Sequence, residues 1–161
     1  MYKCCMFDLD GTLVNSIYAL KRSVDGTLAH FGLGPITLED TKTFVGDGYK
    51  KLVERALQAY GDPELVHFEE ALNVYNRVFK ECCLYRVEAY EGIPELLAFL
   101  KENHILCTVL SNKPHVRTIE NINYVYRQKV IEREYGERES AGIKKKPSPE
   151  GVEALLEELG I

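Results

Sequence analysis

Residues 2–12 read YKCCMFDLDGT, and this segment carries the clearest structural signal in the chain. A short, mostly apolar run from Tyr2 to Leu9 is stopped by Asp10-Gly11, which favours a buried β-strand followed by a turn. Apolar strands of this kind are typical of parallel sheets covered by helices on both faces. Ligands bind such sheets at the carboxyl ends of their strands, so we expect function in the residues that follow this strand.

The segment after this strand has a helical pattern. Apolar residues recur at steps of three or four from Ile17 to Phe31, from Leu52 to Tyr60 and from Phe68 to Phe79. Thr37 is expected to cap a further helix, with Asp40 at the third helical position. Residues 15–85 are therefore predicted to form an all-helical domain that interrupts the chain after its first strand.

Strand and helix patterns alternate in the rest of the chain. Strands are predicted at Ile105–Leu110 and, more weakly, around Val130–Tyr135, and Pro94 and Ser148 mark the starts of helices. This alternation predicts the α/β class, with a Rossmann-like parallel sheet core and helical crossovers. The core is assigned to residues 1–14 and 86–161, and the inserted helical domain to residues 15–85.

Composition excludes several classes of protein. The 161 residues are 45% hydrophobic and 28% charged, as in ordinary globular proteins, and the net charge of −5 provides no basic field for nucleic acid or anionic membranes. No apolar run is long enough to span a membrane. The five cysteines are odd in number and lack C-x-x-C spacing, so we expect reduced thiols in the cytoplasm rather than disulfides or a zinc site.

Two carboxylates flank Leu9 at the end of the first predicted strand. Side chains alternate along a strand, so Asp8 and Asp10 can face the same side. Two close carboxylates repel each other, and a hard cation such as Mg²⁺ relieves that repulsion. The Gly11-Thr12 turn is expected to leave backbone N–H groups for an anion. The alternative is a solvated turn, which the adjoining strand and helical segment disfavour.

Three motifs follow one another along the chain: FDLDGTL at residues 7–13, SNKP at residues 111–114 and KPSP at residues 146–149. In this order they resemble the haloacid dehalogenase superfamily in its phosphatase branch. The helical insert is similar to the cap domain of that family in place and type. TFVGDG at residues 43–48 and YGERE at residues 135–139 resemble phosphoglycolate phosphatases in particular.

The resemblance implies a phosphoaspartyl mechanism. Asp8 would be the nucleophile, and Asp10 would protonate the leaving alcohol and later accept a proton from water. Mg²⁺ would be held by the Asp8 carboxylate and the Asp10 main-chain carbonyl. The Ser111 hydroxyl and the Asn112 N–H would bind phosphate oxygens, and Lys146 would neutralise charge on Asp8 and on the transferred group.

Each of these assignments has a structural alternative. Ser111-Asn112 could be a turn at a strand end, since both residues favour loops. The three lysines at 144–146 could form a solvated loop, or Lys145 could take the role given to Lys146. The loop at residues 46–48, with Lys50, could contact substrate or could only join two helices.

The resemblance also implies a fourth motif, a Gly-Asp followed by another Asp after a further strand, which supplies the remaining metal carboxylate. The 161 residues offer none, because Val45-Gly46-Asp47 lies between predicted helices. We therefore expect this sequence to be part of a longer phosphatase. We expect Mg²⁺ affinity and hydrolysis to depend on the segment that carries the fourth motif.

The resulting hypothesis is a Mg²⁺-dependent phosphatase of a small phosphorylated metabolite, similar to phosphoglycolate, with no nucleic-acid or membrane partner. Asp10 argues against a dehalogenase, because a departing halide needs no proton. One alternative is a phosphomutase of the same family. Another is a truncated, non-catalytic protein that binds a partner.

Overall fold

The computed structural model describes residues 2–126 and 130–161, and the chain divides into two compact units. The first unit comprises Met1–Asn15 and Glu88–Ile161, and the second comprises Ser16–Val87. In chain order the elements are β1 (Cys4–Phe7), β2 (Val14–Asn15), α1 (Ile17–His30), α2 (Leu38–Phe44), α3 (Tyr49–Tyr60), α4 (Phe68–Cys82), β3 (Glu88–Ala89), α5 (Ile93–Glu102), β4 (Leu106–Pro114), α6 (His115–Val125), β5 (Arg133–Glu137), a 3₁₀ turn (Glu139–Ala141) and α7 (Glu150–Leu159).

The first unit is built on a parallel sheet with the strand order β1-β4-β5. β4 is the central strand, and seven consecutive residues of it are buried, as expected for a strand covered on both faces. Leu110, Tyr135 and Leu155 form a buried cluster that joins β4, β5 and α7. The predicted α/β class with a parallel sheet is confirmed.

The strand boundaries differ from those predicted. β1 ends at Phe7, because the chain already turns at Leu9. β4 does not stop at Leu110 but continues to Pro114, so the polar residues of the second motif belong to the strand. The weak third strand begins at Arg133.

A short antiparallel sheet closes the first unit where the chain leaves it and returns to it. Val14 pairs with Ala89 and Asn15 with Glu88. The sequence gave no signal for this pairing, since two residues are too few for a periodic pattern. The observed division of the chain lies within two residues of the predicted boundaries at 14/15 and 85/86.

The second unit consists of α1 to α4, and between Ser16 and Val87, all of which the structure describes, there is no strand. Its apolar side chains form one core, in which α1 packs against α4 and α3 against both α2 and α4. The predicted cap of α2 is present. The Asp40 N–H donates to Thr37 Oγ1 at 3.0 Å, and Thr37 Oγ1 donates to Asp40 Oδ2 at 2.8 Å.

Two further findings concern the cysteines and the apolar character of the helices. Cys4, Cys5, Cys82, Cys83 and Cys107 are free thiols. Among the helices that the structure describes, none combines the length and the apolar character needed to cross a bilayer.

Candidate active site

The turn after β1 is organised by one residue, Leu9. Its side chain is fully buried, and its carbonyl accepts the N–H groups of Thr12, Leu13 and Val14 at 3.2, 3.0 and 3.0 Å. Asp8 and Asp10 stand on either side of this anchor, with side chains 43% and 22% exposed. The burial of Leu9 therefore holds both carboxylates at the carboxyl end of β1.

The expectation that this turn leaves backbone N–H groups for an anion is wrong for Gly11 and Thr12. The Gly11 N–H donates to the Val14 carbonyl at 2.9 Å, and the Thr12 N–H donates to the Leu9 carbonyl at 3.2 Å. The turn uses these donors to close on itself.

A tyrosine directly after α6 supports the same turn. The Tyr126 hydroxyl donates to the Leu13 carbonyl at 2.6 Å, and burial raises the pKa of Tyr126 to about 12. At neutral pH the phenol is therefore protonated and keeps its hydrogen for this bond.

The second motif lies in an irregular part of β4. Leu110 pairs with Tyr135 and Pro114 with Glu137, so four steps along β4 correspond to two along β5. Irregularities of this kind redirect side chains and recur beside active sites. Ser111, Asn112 and Lys113 lie in this stretch and are 4%, 9% and 6% exposed. They are buried strand residues, not the strand-end turn considered as an alternative.

Parallel pairing brings the first two motifs to the same edge of the sheet. Phe7 is the register partner of Val109, so Asp8 follows β1 at the level of Leu110, one residue before Ser111. The Ser111 hydroxyl accepts the Lys113 N–H at 3.2 Å. A hydroxyl that accepts such a bond can still donate its own hydrogen, as binding to a phosphate oxygen requires.

The Asn112 side chain joins the second motif to the third. Its Nδ2 donates to the Lys146 carbonyl at 3.1 Å, and the Lys146 N–H donates to its Oδ1 at 2.9 Å. This reciprocal pair resembles a rung of a β-ladder and fixes where the Lys146 side chain begins. The sequence assigned only the main-chain N–H of Asn112 and did not indicate this contact.

The third motif reaches the first through an ion pair. Lys146 Nζ lies 2.7 Å from Asp8 Oδ1. Lys144, two residues earlier, pairs instead with Glu150 at the start of α7. That contact raises the pKa of Lys144 and lowers the pKa of Glu150, mainly through their side-chain hydrogen bond. The solvated-loop alternative therefore does not describe Lys146.

Lys113 is a site residue that the sequence reasoning missed. Its Nζ lies 2.8 Å from Asp10 Oδ1, and its side chain is only 3% exposed. The one indication in the sequence was its place in the second motif, two positions after Ser111. Its burial, which calls for a partner, is known from the structure alone.

The loop at residues 46–48 has a structural explanation within the second unit. Arg55 of α3 donates through Nη2 to the Asp47 carboxylate and through Nη1 to the Phe44 carbonyl, the latter at 2.9 Å. Gly46 and Gly48 have φ values of +117° and +89°, which favour glycine. These contacts favour the interpretation in which the loop joins α2 to α3, and Lys50 is exposed on α3.

The donor set at the edge of the sheet suits a hard cation. Within residues 2–126 and 130–161, no group of three or more His, Cys, Asp and Glu could hold a metal. The available donors are the Asp8 carboxylate and the Asp10 main-chain carbonyl, which are both oxygens. Mg²⁺ is commonly bound by one or two carboxylates, with water and substrate phosphate as its other ligands. The residues present therefore fit Mg²⁺ as part of such a set.

Several known proteins resemble this chain in sequence. A family model described as haloacid dehalogenase-like hydrolase matches residues 5–161. Phosphoglycolate phosphatase 1 of Pseudomonas aeruginosa is 36% identical over 112 residues, covering 68% of this chain and 41% of that protein. A phosphoglycolate phosphatase of Photobacterium profundum is 33% identical over 117 residues, covering 70% and 51%. The matched region thus spans about half or less of these relatives.

Solved structures share the fold. A predicted phosphoglycolate phosphatase from Haemophilus somnus superposes with a TM-score of 0.88 at 23% identity, covering 99% of this chain and 72% of that one. CbbY from Rhodobacter sphaeroides in complex with phosphate gives 0.77 at 20% identity, covering 100% and 74%. The three ordered motifs, the parallel sheet and the matching family model lead to one conclusion: this chain belongs to the haloacid dehalogenase-like hydrolase family.

Proposed function

We propose that this chain acts as a Mg²⁺-dependent phosphatase on a small phosphorylated metabolite similar to phosphoglycolate. The observation that carries the proposal is the contact between Lys146 and Asp8 at the sheet edge. The names of the relatives support the choice of substrate class. The reaction runs through a phosphoaspartyl intermediate.

In the first step a carboxylate oxygen of Asp8 attacks phosphorus, and the bond between phosphorus and the ester oxygen breaks. A carboxylate is itself a nucleophile, so Asp8 needs no neighbouring base. The leaving alkoxide takes a proton from the Asp10 carboxyl, which makes a poor leaving group competent.

In the second step water attacks the phosphorus of the phosphoaspartate. Asp10, now a carboxylate, accepts a proton from that water, inorganic phosphate leaves, and Asp8 is regenerated. The same residue is thus acid in one step and base in the next. An enzyme that only released a halide would not need this second aspartate.

The remaining residues bind the phosphoryl group. The Ser111 hydroxyl and the Asn112 N–H donate to non-bridging oxygens, and the Lys146 ammonium offsets negative charge on Asp8 and on the transferred group. Mg²⁺, held by the Asp8 carboxylate and the Asp10 carbonyl, would supply further compensation for charge on the phosphate oxygens. We assign the second unit as the cap domain of the family.

The five free thiols and the net charge of −5 support a cytoplasmic enzyme of small molecules. No nucleic-acid or membrane partner is included in the proposal.

The test is hydrolysis of phosphoglycolate and of 4-nitrophenyl phosphate by the 161-residue chain, with and without MgCl₂. We expect Mg²⁺-dependent release of phosphate, lost when Asp8→Asn removes the nucleophile. Glu102→Gln is the matched control, because Glu102 is exposed at the end of α5, before β4 begins. Trapping of ³²P on the chain from a labelled substrate would identify the covalent step.

A binding role without turnover is the second candidate, favoured by the lack of a three-ligand metal group among the described residues. It predicts that the chain binds orthovanadate, a phosphate analogue, in a way that Lys146→Met weakens, but releases no phosphate at saturating Mg²⁺. That result would contradict the phosphatase proposal for this chain.

A further inference from the structure

Each of the two aspartates has its own lysine, and the two pairs differ in their exposure to solvent. The pair of Asp8 and Lys146 is partly solvated, with side chains 43% and 31% exposed. The pair of Asp10 and Lys113 is drier, with side chains 22% and 3% exposed. Charge pairs interact more strongly where less water screens them, so the inner pair constrains its members more.

The main chain of Lys113 is held on several sides. Its N–H donates to Ser111 Oγ at 3.2 Å, and its carbonyl accepts the Thr118 hydroxyl at 3.4 Å. That carbonyl also lies against Gly136, where an added Cβ would come within 2.6 Å of it. The main chain of Lys113 is therefore fixed, and the surroundings of its side chain, which is only 3% exposed, restrict where the ammonium can lie.

Asp10 follows Leu9 in a turn, and its side chain is 22% exposed, against 3% for Lys113. Two rotatable side-chain bonds join its carboxylate to the main chain. A charge-assisted hydrogen bond from the Lys113 ammonium to Oδ1 restrains the position of that oxygen. Proton transfer requires the carboxyl to face the leaving oxygen within hydrogen-bond reach, so this orientation matters for rate.

We propose that Lys113 is the positioning residue of Asp10: it holds the acid–base carboxylate by Oδ1 and so directs the group toward the ester oxygen. The inference rests on the function proposed above. It adds a role for the third residue of the second motif, which acts through Asp10 and does not itself touch the reacting atoms.

The kinetic test compares two leaving groups. Lys113→Met is expected to lower kcat for phosphoglycolate at least roughly tenfold, within the range of general acid catalysis, while KM changes less than about threefold. For 4-nitrophenyl phosphate the rate of the first step, followed as the pre-steady-state release of nitrophenolate, should change less than about threefold, because nitrophenolate departs without a proton. In an Asp10→Asn background the same substitution should add less than about threefold, since no acid remains to be positioned.

Lys3→Met is the matched control, because Lys3 is exposed and lies directly before β1 begins, at the opposite end of that strand from Asp8. This substitution should leave kcat and KM unchanged for both substrates. Lys113→Gln, a smaller change in the same place, is measured in parallel and takes over the test if the methionine variant does not fold. An equal loss of the first-step rate on both substrates, measured in single turnovers, would overturn the proposal and indicate a merely structural pair.

A crystal structure of the variant supplies a readout that does not need activity. We expect the Asp10 carboxylate to leave its present orientation when Lys113 is replaced, whereas an unchanged Asp10 side chain would overturn the proposal. If the unmodified chain hydrolyses neither substrate, the proposed function fails, and this structural comparison still decides the role of Lys113.

Discussion

Asn112 holds the main chain of Lys146 from both sides, and its side chain is nearly buried. Replacement by alanine removes two hydrogen bonds and leaves a main-chain donor and acceptor without their partner. We expect Asn112→Ala to lower the free energy of unfolding by about 1–3 kcal/mol, measured by urea denaturation. The main chain of Lys146 would no longer be held in place, so its ammonium would be less well positioned against Asp8. Phosphatase activity should therefore fall roughly ten- to a hundredfold.

Asn103→Ala is the control for this prediction. Asn103 also donates through its side chain to a main-chain carbonyl, that of Phe99 at 2.9 Å, but it lies exposed at the end of α5. We expect a change within about 0.5 kcal/mol and full activity, as for most surface positions. Equal effects of the two substitutions would contradict the assigned role of Asn112.

Tyr126 gives a prediction at alkaline pH. Burial raises its pKa to about 12, so the unfolded chain loses this proton at a lower pH than the folded chain does. The contribution of Tyr126 is therefore fully present below about pH 10 and is lost as pH rises toward about 12. Absorbance at 295 nm should show a late-titrating phenol, which Tyr126→Phe removes while also costing about 0.5–1.5 kcal/mol for the lost bond to Leu13.

At the level of single residues, the sequence indicated the site residues that lie within a recognisable local motif. Asp8, Asp10 and Lys146 stand beside breakers and helix starts, and the structure places Lys146 against Asp8. Lys113 was missed because it lies beyond Leu110, where the predicted strand ends, so nothing in the sequence indicated its burial. Its contact with Asp10, 103 positions away in the chain, follows from the longer strand that the structure shows.

At the level of elements, helices were easier to predict than the central strand. The cap of α2 and the stop of α7 at Gly160, which has a φ of +67°, follow from short-range chemistry. The extent of β4 does not, because Ser111-Asn112-Lys113 has the composition of a loop. Packing on both faces keeps these polar residues in the strand, and their partners come from other elements.

The contact between β5 and α6 gives a prediction for that packing. A Cβ on Gly136 would lie 2.4 Å from His115 Cα and 2.6 Å from the Lys113 carbonyl oxygen, both of them main-chain atoms that cannot rotate away. Gly136→Ala is therefore expected to destabilise the chain by roughly 1–3 kcal/mol or more, seen as a lower Tm.

Gly34→Ala is the matched substitution in open space. Nothing lies within 4 Å of a Cβ at Gly34, and its φ is not positive. The chain should gain about 0.4–1 kcal/mol, because alanine reduces the freedom of the unfolded state. An equal shift of Tm in Gly136→Ala and Gly34→Ala would contradict the prediction that close main-chain packing at Gly136 excludes a side chain.

At the level of the whole molecule, both units depend on carboxylates that the folded state keeps ionised. In the second unit, the hydrogen bond from Tyr60 lowers the pKa of Asp40, and the main-chain N–H of His67 lowers that of Asp62. In the first unit, the hydrogen bond from Lys144 lowers the pKa of Glu150, and that from the Tyr135 hydroxyl lowers the pKa of Glu158.

These shifts share one sign and predict how stability depends on pH. A carboxyl with a lowered folded pKa stabilises the fold above its unfolded pKa, and this stability is lost as pH falls through the folded value. The urea midpoint should therefore be nearly constant from about pH 7 to pH 5.5 and fall steadily between about pH 5 and pH 3.

Substitutions at these carboxyls separate the mechanism from general acid effects. Asp62→Asn and Glu158→Gln should lower the midpoint at pH 7 and flatten its decline at acid pH, because the replaced groups no longer take up protons on unfolding. Glu157→Gln, at an exposed position beside Glu158 on α7, should leave both the midpoint and its pH dependence unchanged. A decline as steep in Asp62→Asn and Glu158→Gln as in the unsubstituted chain would contradict the assignment and place the acid sensitivity at other carboxyls.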